Sequence, residues 1–165
     1  MTTLLSNGAE ETERIGQALG SLMQPGDVVA LSGDLGAGKT CLTRGIARGL
    51  GVTDPVTSPT FILVAEYSTA RGFPFYHADC YRLGDAPGAE AEDIGMVEML
   101  EGSGVTVIEW AERIERLLPA DTLHLELVAI DTDQRSIAGR AGGPRGRRLL
   151  ETAAQNAMEA EPECC

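Results

Sequence analysis

The strongest constraint on the fold is the stretch GDLGAGKT at positions 33–40, which fits the pattern G-x-x-x-x-G-K-[ST]. The short, β-branched apolar run at 28–31 comes directly before it and predicts a buried strand. After it, Leu42, Ile46 and Leu50 fall on one face of a predicted helix. A strand, a glycine-rich loop and a helix in this order are typical of a phosphate-binding loop.

Each part of this loop suits the binding of a nucleoside triphosphate. Glycines let backbone N–H groups approach an anion, and the start of the helix adds partial positive charge. We expect Lys39 to contact the β- and γ-phosphates and the Thr40 hydroxyl to bind Mg²⁺. A glycine-rich turn without a ligand is the less favoured alternative, because the whole pattern and both flanks match. The predicted nucleotide contacts are Gly33, Asp34, Leu35, Gly36, Ala37, Gly38, Lys39 and Thr40.

The charge balance limits the partners that we expect. The chain of 165 residues has 25 acidic and 13 basic residues, a net charge of −12. Direct nucleic-acid binding depends on Lys and Arg that neutralise phosphates, so a role near RNA would run through a protein partner. No apolar run reaches membrane-spanning length and the N-terminus lacks a signal-peptide pattern, which predicts a cytoplasmic protein without a membrane partner. The cysteines form no metal-ligand pattern, and we expect Cys41 and Cys80 to lie reduced in the core.

Helical and strand patterns alternate along the rest of the chain. We predict helices at 6–23, with Ser6 or Asn7 as the cap, at 87–100, with Gly95 as a weak point, around 114–118 and at 145–157. Strands are predicted within 56–67 and 73–83, joined by a hairpin-like turn, and at 105–108, 123–130 and 135–142. This pattern predicts one three-layer α/β domain of the P-loop type over residues 1–157. The acidic residues 158–165 are predicted to be a disordered tail.

Two acidic residues follow predicted strands. Glu109 comes after four apolar residues, and Asp79 ends the strand that contains His77. Ligands of open α/β sheets bind at the carboxyl ends of strands, so both acids are expected near the phosphate loop. One would serve the metal ion and the other would orient or deprotonate a water molecule, and the residues alone leave the assignment open. A helix cap or a surface charge is the structural alternative for each.

Other residues near these elements permit two interpretations. The segment Ser58-Pro59-Thr60 suits either a switch loop that senses the γ-phosphate or a plain turn. Trp110 suits either a packing residue or an exposed contact next to the site. Arg82 suits either stabilisation of phosphate charge or an ion pair with a neighbouring acid. We expect His77 to be a satisfied, partly buried histidine and not a ligand, because no second histidine is nearby.

The chain has no N-K-x-D motif, which favours ATP over GTP. No segment predicts an acceptor domain or a lid, which weakens a small-molecule kinase, the main alternative to an ATPase. A nucleotide-dependent binding module that does not hydrolyse ATP is a third hypothesis.

Four motifs together resemble the TsaE (YjeE) family, namely SGDLGAGKT at 32–40, SPTF at 58–61, HADCYRL at 77–83 and IEW at 108–110. The resemblance runs from about residue 10 to 150. It implies a small P-loop fold with a central, mostly parallel sheet and antiparallel edge strands. It also implies a slow ATPase that acts with TsaB and TsaD in tRNA threonylcarbamoyladenosine modification beside the anticodon, with tRNA contacted through the complex.

The resemblance also implies roles for individual residues. Thr40 and Glu109 match the Mg²⁺ positions, Asp79 matches the acid of hydrolysis, and Lys39 and Thr60 complete the catalytic set. Nucleotide contacts are further implied for Thr12, near the adenine, and for Cys41, Trp110 and Arg135. Cys41 departs from the family pattern, which often has Thr or Ser there, so a second hydroxyl contact is not expected.

Overall fold

A central sheet organises the structure, a computed structural model that describes residues 2–59 and 63–159. Within these residues seven strands are hydrogen-bonded in the order β1-β7-β6-β2-β5-β4-β3. The strands are β1 (Thr2–Ser6), β2 (Val28–Ser32), β3 (Val64–Ser68), β4 (Pro74–Asp79), β5 (Val105–Glu109), β6 (Leu123–Ala129) and β7 (Arg135–Ala141). The four central strands are parallel, and antiparallel pairs lie at both edges. The predicted fold class is therefore confirmed.

Helices cover both faces of the sheet. They are α1 (Ala9–Leu22), α2 (Lys39–Gly49), α3 (Pro87–Asp93), α4 (Met96–Leu100), α5 (Pro144–Glu159) and a 3₁₀ helix (Ala111–Leu117). In β2, Val29 and Leu31 belong to the core under α1, α2 and α5, whereas Val28 and Ala30 belong to the core on the other face. Burial on both faces explains the continuous apolar run of this strand. None of the helices in the described residues is long and apolar enough to cross a membrane.

The N-terminal region differs from the prediction. Residues 2–6 form the edge strand β1, and α1 begins at Ala9 behind Gly8, not at residue 6. Ser6 does not cap the helix by a side-chain bond to its backbone N–H groups; its hydroxyl bonds the Gly8 carbonyl and the Thr12 hydroxyl. The strand exists because it pairs antiparallel with β7, a partner far along the chain that no local pattern reveals.

Two other predictions concern helix ends. The helix predicted at 87–100 is divided into α3 and α4 at Gly95, which has a φ of 77° and was the predicted weak point. The C-terminal helix α5 runs to Glu159, two residues beyond the predicted domain boundary. Residues 160–165, most of the predicted tail, lie outside the described residues, so their disorder stays a prediction.

Glycines allow α1 and α2 to pack very closely. A Cβ atom at Gly20 of α1 would overlap the Ile46 carbonyl oxygen, and one at Gly45 of α2 would overlap the Glu13 carbonyl oxygen. Any larger side chain at these contacts would push the helices apart. Because α2 begins at the end of the phosphate loop, its contact with α1 also fixes the position of that loop relative to the sheet.

We predict that Gly20→Ala lowers the free energy of unfolding by about 1–3 kcal/mol, the usual cost of an overpacked contact. Urea denaturation of both proteins measures this difference. Gly88→Ala on α3 is the matched control, because a Cβ atom there meets nothing within 4 Å and alanine favours a helix by about 0.5–1 kcal/mol. Equal losses in the two variants would contradict the close-packing interpretation.

Candidate nucleotide-binding site

The loop that joins β2 to α2 has the backbone conformation of an anion cradle. Gly33, Gly36 and Gly38 have φ values of 135°, 79° and 106°, a region that other residues rarely adopt. A Cβ atom at Gly33 would also overlap the Leu127 carbonyl oxygen of β6. Gly38 occupies the N-cap of α2, so the first N–H groups of that helix, which lack intrahelical acceptors, are available to an anion.

The Lys39 ammonium lies inside this cradle. Its Nζ donates to the carbonyl oxygens of Gly33, at 2.6 Å, and Asp34, at 2.9 Å, and lies 4.1 Å from the centroid of the Trp110 ring. Burial lowers the pKa of Lys39. The negative charge of nearby carboxylates opposes this shift, and these carboxylates belong to Glu109, Glu112, Asp79 and Asp34. The loop carbonyls are exchangeable acceptors, which a phosphate oxygen with its full charge can replace.

The two strand-end acids are neighbours in the sheet. Asp79 of β4 pairs in register with Glu109 of β5, a strand that runs parallel to it. Glu109 is 3% exposed, and its Oε2 accepts a hydrogen bond of 3.1 Å from the Thr40 hydroxyl. Mg²⁺ prefers oxygen ligands and commonly takes one or two from the protein, with phosphate and water completing its shell. Thr40 and Glu109 fit that requirement.

Asp79 has different partners from Glu109. Its Oδ1 accepts from the Tyr81 backbone N–H at 2.9 Å, and its Oδ2 accepts from the Ser58 hydroxyl at 2.6 Å. Asp79 thus contacts the segment that was interpreted as a switch loop or a turn, while Glu109 contacts α2. Thr60, the predicted catalytic residue of that segment, lies outside the described residues, and its role stays a prediction.

Trp110 has an unusual backbone conformation directly after Glu109. Its φ of 57° is in the left-handed region, which a bulky side chain adopts at a cost of about 1–3 kcal/mol. The ring packs on the core at the face of the sheet opposite to α1 and α2. Its centroid lies 4.9 Å from the centroid of the Tyr81 ring. Both interpretations of Trp110 are therefore correct in part, since it packs on the core and also lines the site.

A single cavity of about 390 Å³ connects these groups, a volume within the usual range for ligand pockets. Its lining combines the loop, the two acids and the Ser58 segment. The lining residues are Leu35, Gly36, Gly38, Lys39, Thr40, Cys41, Ser58, Pro59, Asp79, Tyr81, Arg82, Glu109 and Trp110.

Five predicted nucleotide contacts are not part of this lining: Gly33, Asp34 and Ala37 of the loop itself, and Thr12 and Arg135 outside it. Thr12 is buried, and its hydroxyl bonds the Ser6 hydroxyl at 2.7 Å and the Gly8 carbonyl at 3.1 Å, which joins α1 to β1. The Arg135 side chain reaches the end of the loop near Gly38 and donates to carbonyl oxygens of its own turn. Their roles toward a nucleotide stay predictions.

The two described cysteines differ in exposure. Cys80 is fully buried, as expected, and burial raises the pKa of its thiol to about 12. Cys41 is only half-buried, which differs from the core position that we expected. Its thiol donates to the Ala9 carbonyl at 3.2 Å, and burial raises its pKa, so it lines the cavity in the protonated form.

The sequence interpretation underestimated His77. Its side chain is completely buried, and Nε2 lies 2.8 Å from Oε1 of Glu109. Nδ1 has no hydrogen-bond partner among the residues that the structure describes, so the expected satisfied, partly buried histidine is wrong. The alternation of Phe75, His77 and Asp79 along β4, which places all three on one face, was the signal for this position.

The three-layer fold, the glycine loop before α2 and the two adjacent strand-end acids define the class of P-loop NTPase-like folds. The model of one family within this class, described as threonylcarbamoyl adenosine biosynthesis protein TsaE, matches residues 6–137. The chain belongs to the TsaE family.

Individual relatives agree with the family match. The protein named tRNA threonylcarbamoyladenosine biosynthesis protein TsaE from Bacillus subtilis (strain 168) is 44% identical over 142 residues, 86% of this chain and 87% of that protein. The protein of the same name from Treponema pallidum (strain Nichols) is 42% identical over 133 residues, 81% of this chain and 96% of that protein. The crystal structure of Bacillus subtilis YdiB superposes with a TM-score of 0.78 at 36% identity, covering 93% of this chain and 94% of that one.

The hydrogen bond between Thr40 and Glu109 is expected to stabilise the protein even without a ligand. A double-mutant cycle of Thr40→Val and Glu109→Met should give a coupling energy of about 0.5–3 kcal/mol in urea denaturation. The control cycle replaces Thr43 by Val, because the Thr43 hydroxyl donates to the Lys39 carbonyl and does not contact Glu109. Additive effects in the first cycle would show that the Thr40 bond is not formed in solution.

Proposed function

We propose that this protein binds ATP with Mg²⁺ and hydrolyses it as a component of the tRNA threonylcarbamoyladenosine modification system, together with TsaB and TsaD. The observation that carries the proposal is the convergence of Lys39, Thr40, Asp79 and Glu109 on one cavity beside the glycine loop. Membership of the TsaE family supports the assignment to this pathway.

The cavity offers separate groups for the phosphates and the metal ion. N–H groups at the start of α2 and the Lys39 ammonium would hold the β- and γ-phosphates, with Lys39 leaving the carbonyls of Gly33 and Asp34. Thr40 and Glu109 would hold Mg²⁺, which neutralises the charge that develops on the phosphates when it is bound. The phosphate contacts and the metal contacts would both use groups that already lie together in the structure.

Asp79 is suited to orient the attacking water or to accept its proton. Each carboxylate oxygen has a second lone pair, so the bonds from Tyr81 and Ser58 leave acceptor capacity for a water molecule. The Ser58 contact also links this acid to the segment that contains Thr60, which we propose to act on the γ-phosphate side. The division of roles assigns Glu109 to the metal ion and Asp79 to the water.

The surface properties favour action through protein partners. A net charge of −12 opposes direct binding to the tRNA backbone, so we propose that TsaB and TsaD make that contact. At the cavity, Leu35 is 81% exposed and Tyr81 is 50% exposed. Exposed apolar side chains at the edge of a site are well placed for burial by a partner, which would exclude water from the phosphates.

We expect Lys39→Ala to weaken ATP binding at least about tenfold, because a charge-assisted hydrogen bond contributes about 1.5–3 kcal/mol. The fluorescence of Trp110, the single tryptophan, reports binding directly because its ring lies against Lys39. Arg48→Ala removes the same charge from an exposed position of the same helix and serves as the control. Similar affinities in the two variants would exclude the loop as the phosphate site.

Asp79→Asn should bind ATP with nearly normal affinity and hydrolyse it about 10²- to 10⁴-fold more slowly, since it loses a group for proton transfer. Phosphate release at saturating ATP measures the rate, and Trp110 fluorescence measures the affinity. Full hydrolysis by Asp79→Asn would disprove the role of this acid. Full biological activity without hydrolysis would favour a nucleotide-dependent binding module.

The deciding experiment compares ATP hydrolysis by the protein alone with hydrolysis after addition of TsaB, TsaD and tRNA. We expect low activity alone and clear stimulation by the two partner proteins. Fast hydrolysis that the partners do not change would contradict the proposed role in the complex. Phosphoryl transfer to an added small molecule faster than to water would instead indicate a kinase.

A further inference from the structure

We propose that His77 is a positioning residue, whose Nε2–H fixes the Glu109 carboxylate so that its other oxygen stays directed at Thr40 and Mg²⁺. This inference rests on the proposed function, because it takes Glu109 as the metal carboxylate. It assigns a task to a buried side chain that the proposed mechanism leaves without one.

The sheet places His77 beside the Glu109 carboxylate, on the neighbouring strand. Phe75, His77 and Asp79 alternate onto the face of β4 that is covered by α2, and Phe75 belongs to the core on that side. His77 pairs with Val107 of β5, and Glu109 follows two residues later on the same face of that strand. The imidazole therefore lies on the same face of the sheet as Glu109 and bonds the carboxylate oxygen that Thr40 does not.

Both oxygens of Glu109 are held by this arrangement. His77 Nε2 lies 2.8 Å from Oε1, and the Thr40 hydroxyl donates to Oε2 over 3.1 Å. A carboxylate that is bonded at each oxygen has little freedom to rotate, even though the glutamate side chain is long. The orientation of Oε2 toward the loop thus depends on the bond at Oε1.

The imidazole is fully buried, and only one of its two nitrogens has a described hydrogen-bond partner. The side chain is 0% exposed, and Nδ1 has no partner in residues 2–59 and 63–159. An unsatisfied buried polar atom costs about 1–3 kcal/mol, and an apolar side chain would fill the same space without that cost. The hydrogen bond to Glu109 is the interaction that the imidazole makes and an apolar side chain could not make.

The pattern of partners also defines the tautomer. A carboxylate accepts hydrogen bonds, so Nε2 must carry the proton that is shared with Glu109. Nδ1 then has a lone pair and no N–H, which is the less costly of the two states for an unpartnered buried nitrogen. The tautomer with the proton on Nε2 satisfies both conditions.

Loss of this bond should weaken Mg²⁺ binding and leave the metal-free affinity for ATP unchanged. Removing a hydrogen-bond partner of a metal ligand typically reduces metal affinity roughly 10- to 100-fold. The loop glycines and Lys39, which would bind the phosphates, do not contact His77 in the hydrogen bonds that they form. A role in packing alone would not separate the two affinities.

The test compares His77→Leu, which has no donor, with His77→Gln, whose side-chain amide carries an N–H near the position of Nε2. Trp110 fluorescence gives the ATP affinity in EDTA and the Mg²⁺ concentration for half-maximal response at fixed ATP. We expect His77→Leu to raise that Mg²⁺ concentration roughly 10- to 100-fold, and His77→Gln to restore most of the loss. His124→Leu, at the other histidine of the chain, should change neither value.

An unchanged Mg²⁺ requirement in folded His77→Leu would overturn the inference and leave the proposed ATPase intact. Absence of Mg²⁺-dependent ATP binding in the unaltered protein would instead contradict the proposed function. If His77→Leu does not fold, ¹⁵N-histidine NMR of the unaltered protein decides the point. A proton on Nε2 of His77 supports the inference, and an unprotonated Nε2 overturns it; the His124→Leu spectrum assigns the signals.

Discussion

The parallel pairing of β2 with both β5 and β6 is the constraint on which the rest of the structure depends. It places the carboxyl ends of the central strands at one edge, so that the loop after β2 and the acids that end β4 and β5 meet there. The backbone of β6 also closes against the loop, because the Leu127 carbonyl occupies the space beside Gly33. The site is thus a direct product of strand order.

Local sequence was sufficient for the parts of this arrangement that use short-range patterns. The glycine loop, the buried strand before it and the helix after it were all predicted, because their residues are adjacent and the backbone demands glycine at defined positions. Glu109 and Asp79 were found for the same reason, since each follows a recognisable strand. Placing them on one sheet edge required only the rule for parallel strands.

What the sequence did not reveal depends on partners that are distant in the chain. β1 is a strand because β7 pairs with it, and nothing in residues 2–6 distinguishes it from a helix start. His77 is buried against Glu109 of β5, 32 residues away in the chain, and its Nδ1 has no partner among the described residues. Thr12 bonds Ser6 once β1 is in place, so its orientation also follows from tertiary pairing.

The glycine contacts between α1 and α2 have a mechanical consequence for ligand entry. Carbonyl oxygens of each helix fill the space that side chains would otherwise occupy at Gly20 and Gly45, so neither helix can slide along the other without steric overlap. In the proposed function, an arriving triphosphate would therefore meet a stiff helical support. The adjustment would fall on the Lys39 side chain, whose ammonium would exchange the Gly33 and Asp34 carbonyl oxygens for phosphate oxygens.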